Sequence, residues 1–461
     1  MNPGVYSPEM IYDSILDLIG NTPLVRIHSF HTNPQIQLLA KLEYLNPGGS
    51  VKDRIAPAMI DRAEKMGKLK KGGTIVEPTS GNTGTGLAMV AALRGYKTVC
   101  VMPDKMSDEK RNLLRAYGAK VVITPTSVMA KDERSYYKVS DRLSKEIPGA
   151  YKPDQYHNPA NPEIHYRTTG PEIWEQTQGQ VTHVVCGMGT GGTITGIGKF
   201  LKEKNPNITI IGVDPEGSVY TSYKKTGKFP DVMKTYKVEG VGEDFIPSTI
   251  DFTYIDDVIQ VSDRDCFLTA RRLARHEGIL AGGSSGMVLY AASTYIPTLK
   301  KGVVVMIFPD SGKSYLTKMY SDNWMREFGF LSPEDSHRSV REVLSKKKSV
   351  PMVSITPKDT VETAISIMKT TDISQMPVIS GGKVLGKVTE RQLLTGLHHK
   401  SIGPSNHISA VFDPDIVTVP ETESLDHVAN ILEKENLVIV LNTKGKALGV
   451  ITRIDLIEFY S

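Results

Sequence analysis

Short apolar runs alternate with mixed polar and apolar segments along the first two-thirds of the chain. IQLLAKLEYL (36–45), GTIVEPT (73–79), KTVCVMP (97–103), AKVVITP (119–125), THVVCGM (182–188), ITIIGVD (208–214) and VVVMIFPD (303–310) are the clearest runs. Continuous runs of this length, bounded by turn residues, predict strands buried on both faces. Helices are expected at 12–19, 54–66, 85–94, 109–118 and about 193–203. The alternation predicts an α/β fold with a largely parallel sheet. In such sheets ligands gather at the carboxyl ends of the strands, and several of these runs lead directly into glycine-rich turns.

The pattern changes after about residue 330. LSPEDSHRS (331–339) is polar and reads as a linker, expected to extend over 331–345. An internal repeat follows it. MVSITPKDTVETAISIMK (352–369) corresponds to IVTVPETESLDHVANILEK (416–434), and QMPVISGGKVLGKVTERQLL (375–394) to LVIVLNTKGKALGVITRIDLI (437–457). Pro357 and Pro420, Gly386 and Gly449, and Thr389 and Thr452 are each 63 positions apart. A constant offset with one strand–helix–strand–strand–helix order predicts a duplicated domain. The expected organisation is a catalytic domain at 1–330, the linker, and two repeats at 346–400 and 410–461.

Composition narrows the function classes. The net charge is +4, and the longest basic block is Lys346–Lys348, so no nucleic-acid surface is expected. No apolar run approaches a membrane span, and MNPGVYSPEM lacks the features of a signal peptide. Cys100, Cys186 and Cys266 form no C-x-x-C, and they read as reduced thiols of a cytoplasmic protein. The eleven histidines show no ligand spacing, so no metal site is expected.

Four turns carry chemistry. In Asn46-Pro-Gly-Gly-Ser-Val-Lys-Asp-Arg54, Lys52 follows a tight turn at an expected helix start. A lysine there suits a Schiff base once burial or an aldehyde partner lowers its pKa. A solvated helix terminus is the alternative. Glu77-Pro-Thr-Ser-Gly-Asn-Thr-Gly84 offers N–H groups to a carboxylate, and Asn82 an amide to a phenolate. Gly187-Met-Gly-Thr-Gly-Gly-Thr193 suits a phosphate. It also fits the G-x-G-x-x-G dinucleotide fingerprint, with Asp214 downstream. Its extra Gly191 and its Thr190 and Thr193 hydroxyls better suit a phosphate monoester. Gly312-Lys313-Ser314 fails as a P-loop, because Ile307 stands where the first glycine belongs. In Leu280-Ala-Gly-Gly-Ser-Ser-Gly286, Ser284 offers a neutral hydroxyl to a ring nitrogen. Together they read as a pyridoxal phosphate site: Lys52 for the aldehyde, Gly189, Thr190, Gly191, Gly192 and Thr193 for the phosphate, Asn82 for the ring oxygen and Ser284 for the ring nitrogen. A neutral partner at that nitrogen weakens the electron sink and favours loss of a β-substituent.

These four motifs in this order resemble the fold-type II pyridoxal phosphate enzymes, the family of the cysteine synthases and cystathionine β-synthases. The resemblance covers roughly residues 10–330. The duplicated tail resembles a pair of CBS domains, and the combination is similar to the cystathionine β-synthase branch. DQYHNPANPEIHY (154–166) and Glu239-Gly-Val-Gly-Glu-Asp-Phe245 resemble its substrate-closing segments, with Glu243 where animal enzymes carry an aromatic residue. The resemblance implies a lyase of transsulfuration and cysteine biosynthesis, joining L-serine to L-homocysteine with a hydrogen sulfide side activity. It implies substrate contacts from Thr79, Ser80, Gly81, Thr83, Gln155, Tyr156 and Gly240, and a homodimer or homotetramer. No haem is expected, since the haem-binding extension of the animal enzymes is lacking. In the tail, the resemblance implies an adenosyl site at Thr452 and Asp455, lined by Gln375, Met376 and Val378, for S-adenosylmethionine as effector. Gln392 stands where the first repeat would carry the matching Asp. A cysteine synthase using O-acetylserine or O-phosphoserine, an adenosyl-ligand sensor with a vestigial catalytic half and an NAD-dependent oxidoreductase are the rival readings.

Overall fold

The computed structural model describes residues 11–79, 81–128, 131–230, 232–331, 340–347, 352–423 and 425–460. Two compact units divide the chain at residues 330 and 331.

The first unit holds two sheets. One has the order β1 (Leu24–Arg26), β2 (Ile36–Leu42), β10 (Gly302–Phe308), β7 (His183–Gly187), β8 (Thr209–Pro215), β9 (Asp257–Val261). The other has the order β5 (Lys120–Thr124), β4 (Lys97–Pro103), β3 (Thr74–Pro78), β6 (Ala150–Tyr151). Every pairing is parallel except β1 with β2. The predicted runs are all strands, and β3 is buried at every position. Helices cover the sheets, as parallel strands buried on both faces require. One core packs Val184, Ile210 and Val305 against Ile197 and Leu201 of helix Gly192–Lys204. Another packs Ile55 and Met59 of helix Lys52–Lys65 against Leu87 and Val90 of helix Asn82–Arg94.

Some elements differ from expectation. The 12–19 helix is only a 3-10 turn, Ile15–Leu18, capped by Ser14. The polar middle of the chain forms helices that apolar runs do not announce, including Tyr136–Glu146, Ala160–Arg167 and Asp263–Glu277. The last has Ser262 as its N-cap and buries one face, with Cys266, Ala270 and Leu273, behind charged residues.

In the second unit, each repeat builds a helix, a two-stranded ladder and a second helix. The first has helix Val361–Thr371, β11 (Gln375–Ser380), β12 (Lys383–Thr389) and helix Glu390–His398. The second has β13 (Thr418–Pro420), helix Leu425–Leu432, β14 (Leu437–Leu441), β15 (Ala447–Thr452) and helix Arg453–Tyr460. The leading strand of the first repeat shrinks to a single bridge, Ile355 with Val378. Residues 340–345 of the expected linker, together with Lys346, form a helix, Val340–Lys346. Val340 and Val343 pack there with Val419, Val428 and Val438 of the second repeat. The equivalent stretch before the second repeat does the reverse: Ile402, Ile408 and Phe412 pack on Val361, Met376 and Val388 of the first. Each repeat is completed by a segment that leads into the other.

Candidate active site

Lys52 opens helix Lys52–Lys65 directly after the glycine turn. Gly49 has φ +84°, a conformation that L side chains rarely adopt. Gly48 N donates to Asp53 Oδ2 at 2.6 Å and Lys52 N to Ser50 Oγ at 3.2 Å. A Cβ on Gly48 would lie 2.6 Å from Asp53 Oδ1, so the turn tolerates no side chain there. Lys52 is only partly covered as a residue, yet desolvation lowers the pKa of its amine against the opposing pull of Cys186, Asp310, Glu243 and Glu43. This raises the share of neutral amine available for imine chemistry. Two residues on, Arg54 is fixed by Glu43 (Nε–Oε2, 2.7 Å) and Glu172 (Nη1–Oε1, 2.6 Å), and Glu172 also takes Lys41 at 2.6 Å. Burial would raise Glu43, but the Arg54 guanidinium and the Thr22 hydroxyl hold it low. This buried network anchors the start of the lysine's helix to β2 and to helix Thr169–Gln176.

The 187–193 turn joins β7 to helix Gly192–Lys204. Gly191 caps that helix at φ +83°. Added Cβ atoms would lie 2.6 Å from Gly240 O at Gly189, 2.5 Å from Ile250 Cβ at Gly191 and 1.9 Å from Asn161 Oδ1 at Gly192. The glycines are therefore dictated by close packing behind the turn. The first N–H groups of a helix lack intrahelical partners and favour an anion. Tyr220 Oη donates to Gly189 O at 2.5 Å, and Gly242 N to Met188 O at 2.7 Å. Asn161 Nδ2 donates to Thr190 Oγ1 at 3.0 Å, and Thr193 Oγ1 lies 3.1 Å from His165 Nε2. Desolvation, and then the Arg54 and Lys52 charges, push His165 well below its ordinary pKa, so its ring is neutral. Lys52, Gly189, Thr190, Gly191, Thr193 and Gly240 line one cavity, with Cys186 in its wall. A buried amine facing a helix N-terminus, glycines and two hydroxyls fits a phosphate-bearing aldehyde.

Asn82 starts helix Asn82–Arg94, after Gly81 at φ +122°. Asn82 Nδ2 donates to Asp310 Oδ2 at 2.9 Å. Thr79 Oγ1 accepts from Gly81 N (3.0 Å) and Gly84 N (3.1 Å), and Thr83 Oγ1 donates to Gln155 Oε1 at 2.7 Å. Ser80 lies outside the described residues. Ser284 is buried in the first turn of helix Gly283–Tyr295, and neighbouring Ser285 Oγ is buried without a hydrogen-bond partner among the described residues.

A buried polar chain that the motifs do not announce leads on from Asn82. Tyr315 Oη donates to Asp310 Oδ2 at 2.5 Å, and Lys110 Nζ donates to Tyr315 Oη at 2.8 Å and to Glu239 Oε2 at 2.9 Å. Lys318 Nζ holds the other Glu239 oxygen at 2.7 Å. Asp310 had a signal, since it ends the last buried strand run. Lys110 had none, and Glu239, though it opens the recognised 239–245 segment, is joined to Lys110 only by the tertiary fold.

A tyrosine cluster stands beside the cavity. Tyr136 Oη donates to Tyr137 Oη at 2.5 Å and lies 3.3 Å from Tyr156 Oη, and Tyr137 Oη donates to Glu243 Oε2 at 3.1 Å. Phe245 packs edge-on against Tyr137 and Tyr156. Desolvation, and then Asp244, push Glu243 up to about 8. Gly240 is exposed at φ +79°.

In the tail, Asp455 Oδ2 accepts from Thr452 N (2.7 Å) and Thr452 Oγ1 (2.8 Å), while Lys347 Nζ reaches Asp455 Oδ1 at 2.8 Å. Gln392 Oε1 makes the same pair of bonds to Thr389, at 2.9 and 3.0 Å. Both pairs cap a helix, so Thr-x-x-Gln in the first repeat and Thr-x-x-Asp in the second have the same local structural use. Met376 and Val378 are fully buried in the first repeat's core. Gln375 is only partly covered. Among the described residues, no cluster of three His, Cys, Asp or Glu could hold a metal, and no helix is long and apolar enough to cross a membrane.

The pyridoxal-phosphate dependent enzyme family matches residues 15–310, and the CBS domain matches 340–399 and 408–461. A cystathionine beta-synthase of Dictyostelium discoideum is 38% identical over 98% of this chain and 93% of its own length. Among solved structures, a hydrogen sulfide-producing enzyme from Fusobacterium nucleatum is 40% identical at TM-score 0.62, covering 66% of this chain and 100% of its own. An O-acetylserine dependent cystathionine beta-synthase from Helicobacter pylori is also 40% identical at TM-score 0.62, covering 67% and 98%.

Proposed function

The chain belongs to the cystathionine beta-synthase family of pyridoxal-phosphate dependent enzymes, and from that premise we propose that it condenses L-serine with L-homocysteine, giving L-cystathionine and water. The observation that carries this reading is Lys52, a desolvated amine in one cavity with the 187–193 cup and Gly240. Gly189, Thr190, Gly191, Gly192 and Thr193 hold the cofactor phosphate, Asn82 its ring oxygen and Ser284 its ring nitrogen. The bound cofactor supplies an electron sink that acidifies the substrate α C–H and loosens the β-substituent. Thr79, Ser80, Gly81, Thr83 and Gln155 receive the α-carboxylate, with Tyr156 and Gly240 closing over it. Lys52 Nζ removes the α-proton and delivers it to the departing β-hydroxyl, which leaves as water. The homocysteine sulfur then bonds to the β-carbon, and its proton returns through Lys52 to the α-carbon.

O-Acetylserine as the first substrate is the second reading, favoured by the O-acetylserine dependence of the Helicobacter pylori relative. Serine with homocysteine and O-acetylserine with sulfide, offered in competition, decide between them. Cystathionine formed from serine supports the first reading, and cysteine formed from O-acetylserine alone overturns it. The CBS pair binds S-adenosylmethionine as effector near Gln375 and Thr452, and the enzyme is a cytoplasmic homodimer or homotetramer. Calorimetry with S-adenosylmethionine, AMP and ATP tests the effector; no heat with any of them overturns that assignment.

A further inference from the structure

Glu77 lies in β3, fully buried, and makes no ion pair among the described residues. Its carboxylate is nevertheless fully used. Oε1 accepts from Gln155 N and Oε2 from Asp154 N, each at 2.9 Å. Asp154 has φ +56°, which a non-glycine residue seldom adopts. The carboxylate therefore holds a turn that has little intrinsic reason to form.

The turn aims two further contacts. Gln155 Nε2 donates to Pro78 O at 3.3 Å, and Gln155 Oε1 accepts from Thr83 Oγ1 at 2.7 Å. Gln155 O accepts from Asn161 Nδ2 at 2.8 Å, and the same amide nitrogen reaches Thr190 Oγ1 in the cup. One carboxylate thus fixes the backbone from which the α-carboxylate cradle and the phosphate cup are both braced.

We propose that Glu77 is a positioning residue for the first amino-acid substrate, acting through Asp154 and Gln155 to set affinity for the α-carboxylate while leaving the chemistry at Lys52 unchanged. The proposal rests on the reading of Thr79–Thr83 and Gln155 as the α-carboxylate site.

Its charge environment supplies a distinctive signature. Desolvation pushes Glu77 up to about 8; Asp154 acts in the same direction and Lys152 against it. Tyr151 on β6 and Cys100 on β4 also face it, both raised by burial and so neutral near pH 7. A proton on Glu77 turns one acceptor oxygen into a hydroxyl and weakens one of the two N–H bonds. Substrate affinity should therefore improve as pH rises through about 8.

The test uses full-length holoenzyme with Glu77→Gln and Glu77→Asp. Gln offers an NH2 to one of the two N–H donors, and Asp is too short to serve both. KM and kcat for serine are measured from pH 6.5 to 9, and serine binding is titrated by cofactor absorbance without homocysteine. Above about pH 8, where wild-type Glu77 is ionised, E77Q is expected to raise KM and Kd for serine about tenfold, the loss of one charge-assisted hydrogen bond, and to approach the wild type at pH 6.5. Its kcat, its KM for homocysteine and its cofactor content should stay within about twofold, and the wild-type pH dependence of serine binding should vanish. The ionisation of free serine is common to both proteins and cancels in the comparison. Unchanged serine affinity, a fall in kcat alone, or identical pH profiles would overturn the proposal. If E77Q does not fold, E77D carries the same expectation of weakened serine binding. Should the wild type bind O-acetylserine and not serine, the reaction assigned above fails, and the same comparison with O-acetylserine, which carries the same α-carboxylate, still judges Glu77.

Discussion

Asp310 Oδ2 accepts a 2.9 Å hydrogen bond from Asn82 Nδ2, so the orientation of the Asn82 amide is fixed from behind. One N–H is committed to the carboxylate, and the second remains for a ligand oxygen. An Asp310→Asn variant gives Asn82 a partner that no longer dictates which way its amide faces, and it loses the charged acceptor of Tyr315. Pyridoxal phosphate affinity is expected to fall about tenfold, the cost of one charge-assisted hydrogen bond. Equilibrium titration of the apoenzyme, with the absorbance maximum of the bound cofactor as second readout, checks this.

Lys52→Ala should lower turnover by at least about 10³-fold, since it removes both the covalent anchor and the proton carrier. The absorbance of the covalently held cofactor near about 410 nm should disappear, while far-ultraviolet circular dichroism stays unchanged. Normal turnover in this variant would remove Lys52 from the mechanism.

Glu77 also leaves a mark on stability. Its pKa is about 8 when folded, against an ordinary 4.5. Between those values the folded protein holds a proton that the unfolded chain has released, so stability falls as pH rises. The contribution is fully present below about 4.5 and gone above about 8. Glu77→Gln should remove that falling limb, gaining about 2–3 kcal/mol on wild type between pH 6 and pH 8. Denaturant unfolding of the catalytic unit at the two pH values measures it.

Arg54→Ala should destabilise the same unit by about 3–5 kcal/mol, because Glu43 is left buried without its guanidinium. Adding Glu43→Gln should recover part of the loss, since the uncompensated charge goes with it. The denaturant midpoints of the single and double variants provide the check, and equal midpoints would mean the charge is not the source of the cost.

Val343→Asp should melt the CBS pair at lower temperature, by placing an unpaired carboxylate among Val419, Val428 and Val438. The loss should exceed about 2 kcal/mol. Calorimetry should show the tail's transition move while the catalytic unit's transition stays in place.

The sheets and the glycine turns were legible in the sequence because each leaves a local signature. Buried parallel strands read as unbroken apolar runs, and the glycines of the cup and of the lysine turn appear as clusters. The brackets around the site were not legible. Lys110 and Tyr315 look like ordinary surface residues in the sequence, Glu239 is only the first residue of a recognised segment, and the three become a buried chain only when helix Asp108–Ala116, the 238–245 segment and the turn after β10 converge. Asn161 and His165 sat in a recognised segment, but nothing local tied them to Thr190 and Thr193. The 340–346 helix was hidden by Arg341, Glu342 and Ser345, which leave Val340 and Val343 as a short apolar stripe.

The reciprocal packing of the two CBS repeats means that the unit copied in the sequence is not a unit that folds. A 63-residue segment cut at the repeat boundaries would leave an open seam where its clasp belongs, and that clasp would remain attached to the other copy. The two halves are interlocked like linked hooks. A nick in the chain between them would leave Val340 and Val343 packed on the second repeat, a contact that the cut does not touch.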